Sequence, residues 1–319
     1  MNNFSNIAES NSSKYLHPSS IKTVRLCFLE DKCQFKRTLT LTHYPARFLK
    51  IVYNFTMAKN LIKEAKDAGC DAVKFQKRTI EIVYSEEELS ASRDSPWGKT
   101  QRDQKEGLEF SHAQYGEIDE YCRSLDIQWS ASAWDIPSLR FMEEFNPSFH
   151  KVASALLTHQ DFLTEIATLG RLTFVSTGMA SFNDIDKAVE IFSSHKTPIV
   201  LMHTVSTYPT PEVDLNLSAI PAMRKRYGLN VGYSGHEASV SPSLVAAALG
   251  AIVIERHITL DRSMYGSDQA ASLEPNGLRQ LVSTVSKVPM MLGTGLKDWA
   301  PGEQVVAKKL RYWEQESLS

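Results

Sequence analysis

From residue 55 onward, short β-branched apolar runs alternate with longer amphipathic stretches, a pattern that restricts the chain to architectures built from parallel βαβ units. The runs are DAVKFQ (71–76), IQWSAS (127–132), HKVAS (150–154), LTFVSTG (172–178), PIVLMHT (198–204), NVGYSGH (230–236) and AIVIERHIT (251–259). Helical patterns lie between them at 55–69, 113–125, 159–170, 182–195 and 240–250, and several stop at a glycine, where helices commonly end. The helix at 55–69 has no well-defined strand before it, so an eighth strand is expected upstream, and eight would close a (β/α)8 TIM barrel. An open doubly wound sheet is the competing architecture. It would concentrate polar residues near one switch point, whereas here they recur at the C-terminal ends of nearly all the runs, as in barrel enzymes.

With 319 residues, 42% hydrophobic and 23% charged, the composition is that of an ordinary globular protein long enough for one such barrel. A formal net charge of −2 gives no reason to expect nucleic acid or a membrane as partner, so any phosphate site must be local. The four cysteines, Cys27, Cys33, Cys70 and Cys122, are scattered without a CxxC pair, which points to a reducing compartment. No apolar run approaches the roughly 18–20 residues of a membrane span. The N-terminus lacks the apolar segment of a secretory signal, so the expected location is cytoplasmic.

Three domains of sequence are distinguished: an atypical N-terminal extension (1–54), the barrel (55–300) and a C-terminal tail (301–319). In the extension, KTVRLCFLE, RTLTLTHYP and RFLKIVYN each have strand character, yet no helical pattern joins them. The abrupt change near residue 55 suggests a frameshift or misplaced start; if the extension is genuine instead, FLKIVYN is expected to fill the place of the first strand. The segment 86–108 is a long charged insertion, and such loops are usually functional or mobile.

Polar side chains recur where barrel strands end. Lys74 and Gln76 are two residues apart and share one face, opposite Val73 and Phe75. An inward lysine needs a counter-charge, either a neighbouring carboxylate or a ligand anion. Lys151 and Ser154, Ser176 and Thr177, Ser206, and Ser234 follow on later runs, and ammonium and hydroxyl groups converging on one mouth suit a small dianion. His236 and His257 close the last two runs, the latter at the parity of Glu255; imidazoles in that arrangement hold Mn²⁺, Zn²⁺ or Fe²⁺, or else bond backbone. His203 is a candidate support or substrate contact. Asp261 and Asp268 bracket the loop after the last run, and Tyr208 and Pro209 follow an earlier one; carboxylates there accept bonds from sugar hydroxyls or remain solvated.

Taken in order and spacing, DAVKFQ, SPWGKTQR, KVASA, STGMA, HTVSTYPTP, VGYSGHE and VIERHITLDRSMYGSDQAASLEP resemble the N-acetylneuraminate (sialic acid) synthase family, including synthases of legionaminate- and pseudaminate-type sugars. A match in so many parts is far more specific than one short motif. The resemblance implies a (β/α)8 barrel that condenses phosphoenolpyruvate with an N-acylmannosamine-type amino sugar to a nonulosonic (sialic) acid.

 A homodimer is the assembly it implies. It further implies a divalent metal, usually Mn²⁺ with Mg²⁺ or Co²⁺ as alternatives, on His236 and His257. Phosphoenolpyruvate contacts would fall on Lys74, Ser132 (where the family commonly has Thr), Lys151, Ser154, Ser176, Ser206 and Ser234, and sugar contacts on Gln76, Tyr208 and Asp268.

Three departures bear on activity. Family members begin with a Glu-Ile-Gly-x-Asn-His-x-Gly type motif whose Glu has an acid/base role; its position here falls on Ala46, and no Asp or Glu occurs between Lys32 and Lys63. Leu156 stands where a second carboxylate is common, and the chain ends at Ser319, before the C-terminal antifreeze-like domain that members commonly carry. One reading is an active synthase in which Lys74, Lys151 and Glu255 serve catalysis, with Glu255, Asp268 or metal-bound hydroxide replacing the absent Glu. The other is an impaired barrel that binds metal and phosphoenolpyruvate without turnover. An octulosonate or heptulosonate synthase is a third, against which Gln76, Tyr208 and Asp268 speak.

Overall fold

The computed structural model describes residues 24–29 and 46–314, with side chains described from Phe55 onward. Eight strands form one curled parallel sheet: β1 (Val24–Leu29), β2 (Ala72–Lys77), β5 (Gln128–Ala133), β6 (His150–Val152), β7 (Thr173–Ser176), β8 (Ile199–Thr204), β9 (Val231–Gly235) and β10 (Val253–Ile258). The short strands β3 (Ser92–Ser95) and β4 (Gly98–Thr100) make a separate antiparallel hairpin. In the large sheet the order is β5-β2-β1-β10-β9-β8-β7-β6, so β1 pairs with both β2 and β10.

The ladder of the expected barrel is not continuous among the described residues, because the sheet ends at β5 and β6. These two edges meet through side chains instead: Ser130 Oγ donates to Phe149 O at 2.8 Å and Ser132 Oγ to Lys151 O at 3.1 Å. β6 spans only three residues before the chain turns into a 3-10 segment at Ser154–Leu156, which leaves little strand to pair.

The upstream strand is VRLCFL, within KTVRLCFLE, and not FLKIVYN. The latter lies in the helix Ala46–Asp67, which begins nine residues earlier than the pattern suggested. No glycine or proline interrupts residues 46–67, so a helix nucleated on the Leu61, Ile62 and Ala65 face can propagate back through them. RTLTLTHYP falls outside the described residues. The insertion 86–108 is ordered structure: helix Glu86–Ser90, the β3–β4 hairpin and helix Gln101–Leu108, the two helices opened by Ser85–Glu88 and Thr100–Asp103 capping boxes. No helix among the described residues is long and apolar enough to cross a membrane.

Alternation along the strands sorts the side chains into two cores. Outward-facing Val73, Phe75, Trp129 and Ala131 pack against Leu61, Ile62, Tyr115 and Ile118 of the helices. Inward-facing Ala72, Phe149, Phe174, Val200, Met202 and Val253 make a second apolar cluster at the N-terminal end of the sheet. Two residues further along the same strands stand Lys74, Lys151, Ser176, Thr204 and Glu255. Thus an apolar floor underlies a polar layer, and the period of two is what separates them.

Phe75, 1% exposed and edge-on to Phe110, Tyr115 and Trp129, anchors the outer core. Phe75→Ala is expected to cost about 3–5 kcal/mol in urea unfolding, whereas Ile82→Ala, at a side chain 58% exposed, should stay within about 0.5 kcal/mol of the parent.

Candidate active site

Strands β2, β6 and β10 bring two lysines to one carboxylate. Glu255 Oε1 lies 3.4 Å from Lys74 Nζ, and its Oε2 lies 3.9 Å from Lys151 Nζ. All three side chains are buried. Ser234 Oγ donates to Glu255 Oε1 at 3.2 Å, while Lys151 Nζ donates to Ser176 Oγ at 2.5 Å and Val152 O at 3.2 Å. Burial pushes Lys74 down to about 8, against the opposing pull of Glu255, and burial lowers Lys151 too. Burial alone would raise Glu255, but Lys151 and Lys74 outweigh it and hold the carboxyl below its ordinary value. Two ammonium groups against one carboxylate leave the cluster with a positive surplus over an apolar floor, an arrangement that favours an anion.

Hydroxyls surround this cluster. Gly178 N donates to Ser154 Oγ at 3.1 Å, and a Cβ on Gly178 would stand 2.2 Å from Ser206 Oγ and 2.7 Å from Ser154 Oγ. Glycine is therefore what allows the turn after β7 to lie against both serines. Ser206 Oγ and Gln76 Oε1 are buried and make no hydrogen bond among the described residues. Ser132 is in the same layer, with its hydroxyl committed to Lys151 O. Two expected contributors face elsewhere: Thr177 Oγ1 donates to Met202 O at 3.1 Å, and His203 Nε2 meets Leu215 O at 2.8 Å beside the Tyr233 ring. Each sits one residue out of step with the inward positions of its strand, which moves the side chain to the other face.

His236 and His257 stand together, ring centroids 5.1 Å apart and nearly perpendicular. The His236 Nδ1–H donates to Val205 O at 2.6 Å, so Nε2 carries the lone pair, and burial lowers the ring's pKa toward the neutral form a metal needs. Asp268 Oδ2 lies 3.7 Å from His257 Nδ1, and the Tyr208 ring stacks 4.1 Å from His236. Among the described residues no group of three or more His, Cys, Asp or Glu gathers at a metal-binding spacing, so protein donors would be the two imidazoles. The loop carrying Asp268 is held by the insertion: Arg93 Nε and Gln104 Nε2 donate to Tyr265 Oη at 3.4 and 3.1 Å. Asp261, by contrast, takes the backbone N–H of Ser263 at 2.8 Å within its own turn.

Two residues unmarked in the sequence reading lie directly behind the histidines. Glu237 follows His236, Arg256 precedes His257, and their side chains pair on the opposite face of the sheet, Nη1 to Oε1 at 2.9 Å, both essentially without exposure. Tyr233 Oη donates to Glu237 Oε2 at 2.7 Å, and Arg256 Nη1 also donates to Ser239 O at 2.8 Å and Ser243 Oγ at 3.1 Å. The pair thus ties the end of β9 to β10 where both imidazoles are carried. An arginine at the outward parity of a buried strand was the available signal for it.

Comparison with known proteins agrees with this geometry. A model of the NeuB family matches residues 61–297. The N-acetylneuraminate-9-phosphate synthase of Mus musculus is 37% identical over 257 residues, covering 80% of this chain and 72% of that protein. The N,N'-diacetyllegionaminic acid synthase of Campylobacter jejuni is 31% identical over 257 residues, covering 79% and 77%. The crystal structure of N-acetylneuraminic acid (sialic acid) synthetase from Leptospira borgpetersenii, in complex with citrate, aligns with a TM-score of 0.73 at 28% identity over 91% of this chain and 93% of that one. A heptulosonate 7-phosphate synthase from Thermotoga maritima, at 13% identity and TM-score 0.61, shares the fold alone. The chain belongs to the NeuB family of sialic acid synthases.

Proposed function

We propose that this chain condenses phosphoenolpyruvate with an N-acylmannosamine-type amino sugar to a nonulosonic (sialic) acid, releasing phosphate, within a sheet that closes as a (β/α)8 barrel. The observation that carries the proposal is the Lys74–Glu255–Lys151 cluster, whose surplus positive charge is matched by a dianion. Lys74 and Lys151 hold the phosphate and carboxylate of phosphoenolpyruvate, with Ser132, Ser154, Ser176, Ser206 and Ser234 around them as hydroxyl partners. Gln76, Tyr208 and Asp268 face the sugar.

A divalent ion, Mn²⁺ ahead of Mg²⁺ or Co²⁺, fits His236 and His257, because Val205 O fixes the His236 tautomer that exposes the Nε2 lone pair. When bound it supplies Lewis acidity toward a carbonyl oxygen. The protein's own groups orient the rest. The lysines hold phosphoenolpyruvate so that C3 forms a bond to the sugar's aldehyde carbon, leaving positive charge at C2. Water adds to C2 and gives one proton, by way of Glu255, to the former aldehyde oxygen, which becomes a hydroxyl; the bond from C2 to the bridging oxygen then breaks, the added oxygen stays as the C2 carbonyl, and the second proton of the water leaves with the phosphate. Ionised at neutral pH by its two lysine neighbours, Glu255 is in the state this step requires.

A second reading, a synthase-like protein that binds metal and phosphoenolpyruvate without turnover, draws on one observation: the segment forming β1, VRLCFL, contains no carboxylate. Phosphate release from phosphoenolpyruvate with Mn²⁺ and N-acetylmannosamine separates the two. Turnover is expected, with His236→Ala slower by at least about 100-fold, the scale of losing Lewis-acid assistance. Phosphoenolpyruvate binding with no release would favour the second reading.

Lys74 makes the binding step pH-dependent. With its pKa at about 8, the free protein holds the proton below that value, and above it a bound dianion must draw the proton back. The dissociation constant of phosphoenolpyruvate, measured by calorimetry, should rise by up to about tenfold per pH unit above the Lys74 pKa. Lys74→Arg, which stays charged, should remove that rise.

A further inference from the structure

The two imidazoles stand where the hydrogen bonding of the sheet runs out. The β9–β10 ladder pairs Ile254 with Tyr233, Glu255 with Ser234 and Arg256 with Gly235, and ends there among the described residues. His257 is still inside β10 and pairs with β1, but His236 lies one residue past the end of β9. On one side His236 is fixed to the segment after β8: its Nδ1–H donates to Val205 O at 2.6 Å, and its carbonyl accepts from Thr210 N at 3.0 Å. Neither bond reaches β10, so neither sets the distance to His257.

The Arg256 side chain crosses that gap. From the residue before His257 it reaches the residues after His236: Nη2 donates to Glu237 O, while Nη1 donates to Ser239 O at 2.8 Å and pairs with Glu237 Oε1 at 2.9 Å. The Glu237 carboxylate is itself fixed, accepting from Tyr233 Oη at 2.7 Å and Ser243 Oγ at 3.2 Å. It folds back over Gly235, where a Cβ would stand 2.5 and 2.8 Å from its two oxygens. Both side chains are buried, and a planar guanidinium held by several acceptors at once fixes angle as well as distance. A metal centre with only two protein donors has little other chelation to draw on, so its affinity depends on how well those donors are placed beforehand.

We infer that the Arg256–Glu237 pair is the positioning element of the metal centre: it fixes the separation of the two imidazoles, and the tightness of metal binding follows from it. This rests on the metal reading of His236 and His257, to which it adds two residues that touch neither the ion nor the substrates. The pair is neutral as a whole, so its effect is one of geometry, and two substitutions separate geometry from charge. Glu237→Gln leaves an uncompensated guanidinium behind the imidazoles, which would repel a dication even in unchanged geometry. Arg256→Lys keeps the charge and gives up the planar fork, so it loosens the geometry alone.

The test is a Mn²⁺ titration of the full chain followed by electron paramagnetic resonance, beside a phosphoenolpyruvate titration of the metal-free protein. Glu237→Gln and Arg256→Lys should each raise the Mn²⁺ dissociation constant by about 10- to 100-fold, the range seen for residues that orient metal ligands. Phosphoenolpyruvate affinity, carried by Lys74 and Lys151, should stay at the parent value in both. Weakened Mn²⁺ binding in Glu237→Gln alone would make the effect one of charge and overturn the inference. Parent-like Mn²⁺ affinity in both variants would overturn it too. So would a loss of phosphoenolpyruvate affinity in step with that of Mn²⁺, which would reduce the pair to general support of the fold. His257→Ala tells a failure of the metal reading apart from these: if the parent binds no Mn²⁺, or His257→Ala binds it as the parent does, the ion is not held by the imidazoles and the inference falls with that reading.

Discussion

A carboxylate buried between two lysines sets the terms for everything else in this structure. Glu255 lies on β10, Lys74 on β2 and Lys151 on β6, so the cluster exists only when strands distant in the chain share one enclosed space. The apolar floor of Phe149, Phe174, Val200, Met202 and Val253 keeps water from screening those charges from below. In that setting a surplus ammonium is costly, and hydroxyls from four further strands and turns cannot neutralise it. An anionic substrate can. The free energy that folding leaves unspent at this point is available for binding.

The sheet separates this cluster from a second buried charge system. On its other face Arg256 and Glu237 pair with each other, and Tyr233, Ser239 and Ser243 add further hydrogen bonds to the pair. A Cβ on Gly235 would approach Glu237 Oε2 to 2.5 Å, which accounts for glycine at that place in VGYSGHE. Because Glu237 and Arg256 adjoin His236 and His257, this pair holds the two strand ends together while the imidazoles stand on the inner face.

Much of this was legible in the sequence, for a definite reason. Period-two alternation placed Lys74 with Gln76 and Glu255 with His257, and the structure puts each pair on one face. Thr177 and His203 lie near strand ends but at the other parity, which turns them away from the inner face. FLKIVYN has the composition of a strand and is helical because an uninterrupted helix follows it, a cooperative effect that local propensity does not carry. The Arg256–Glu237 pair was invisible for another reason. Whether a charge is solvated or paired depends on partners on other elements, as Arg256 depends on Glu237 and Ser243.

The central claim is that the lysine cluster holds the two anionic groups of phosphoenolpyruvate. Isothermal titration of the parent chain and of Lys151→Ala with phosphoenolpyruvate at pH 7 tests it most directly. The account predicts saturable binding that the substitution weakens by at least about tenfold, the scale of one charge-assisted hydrogen bond. Binding of equal strength in the two proteins would contradict it.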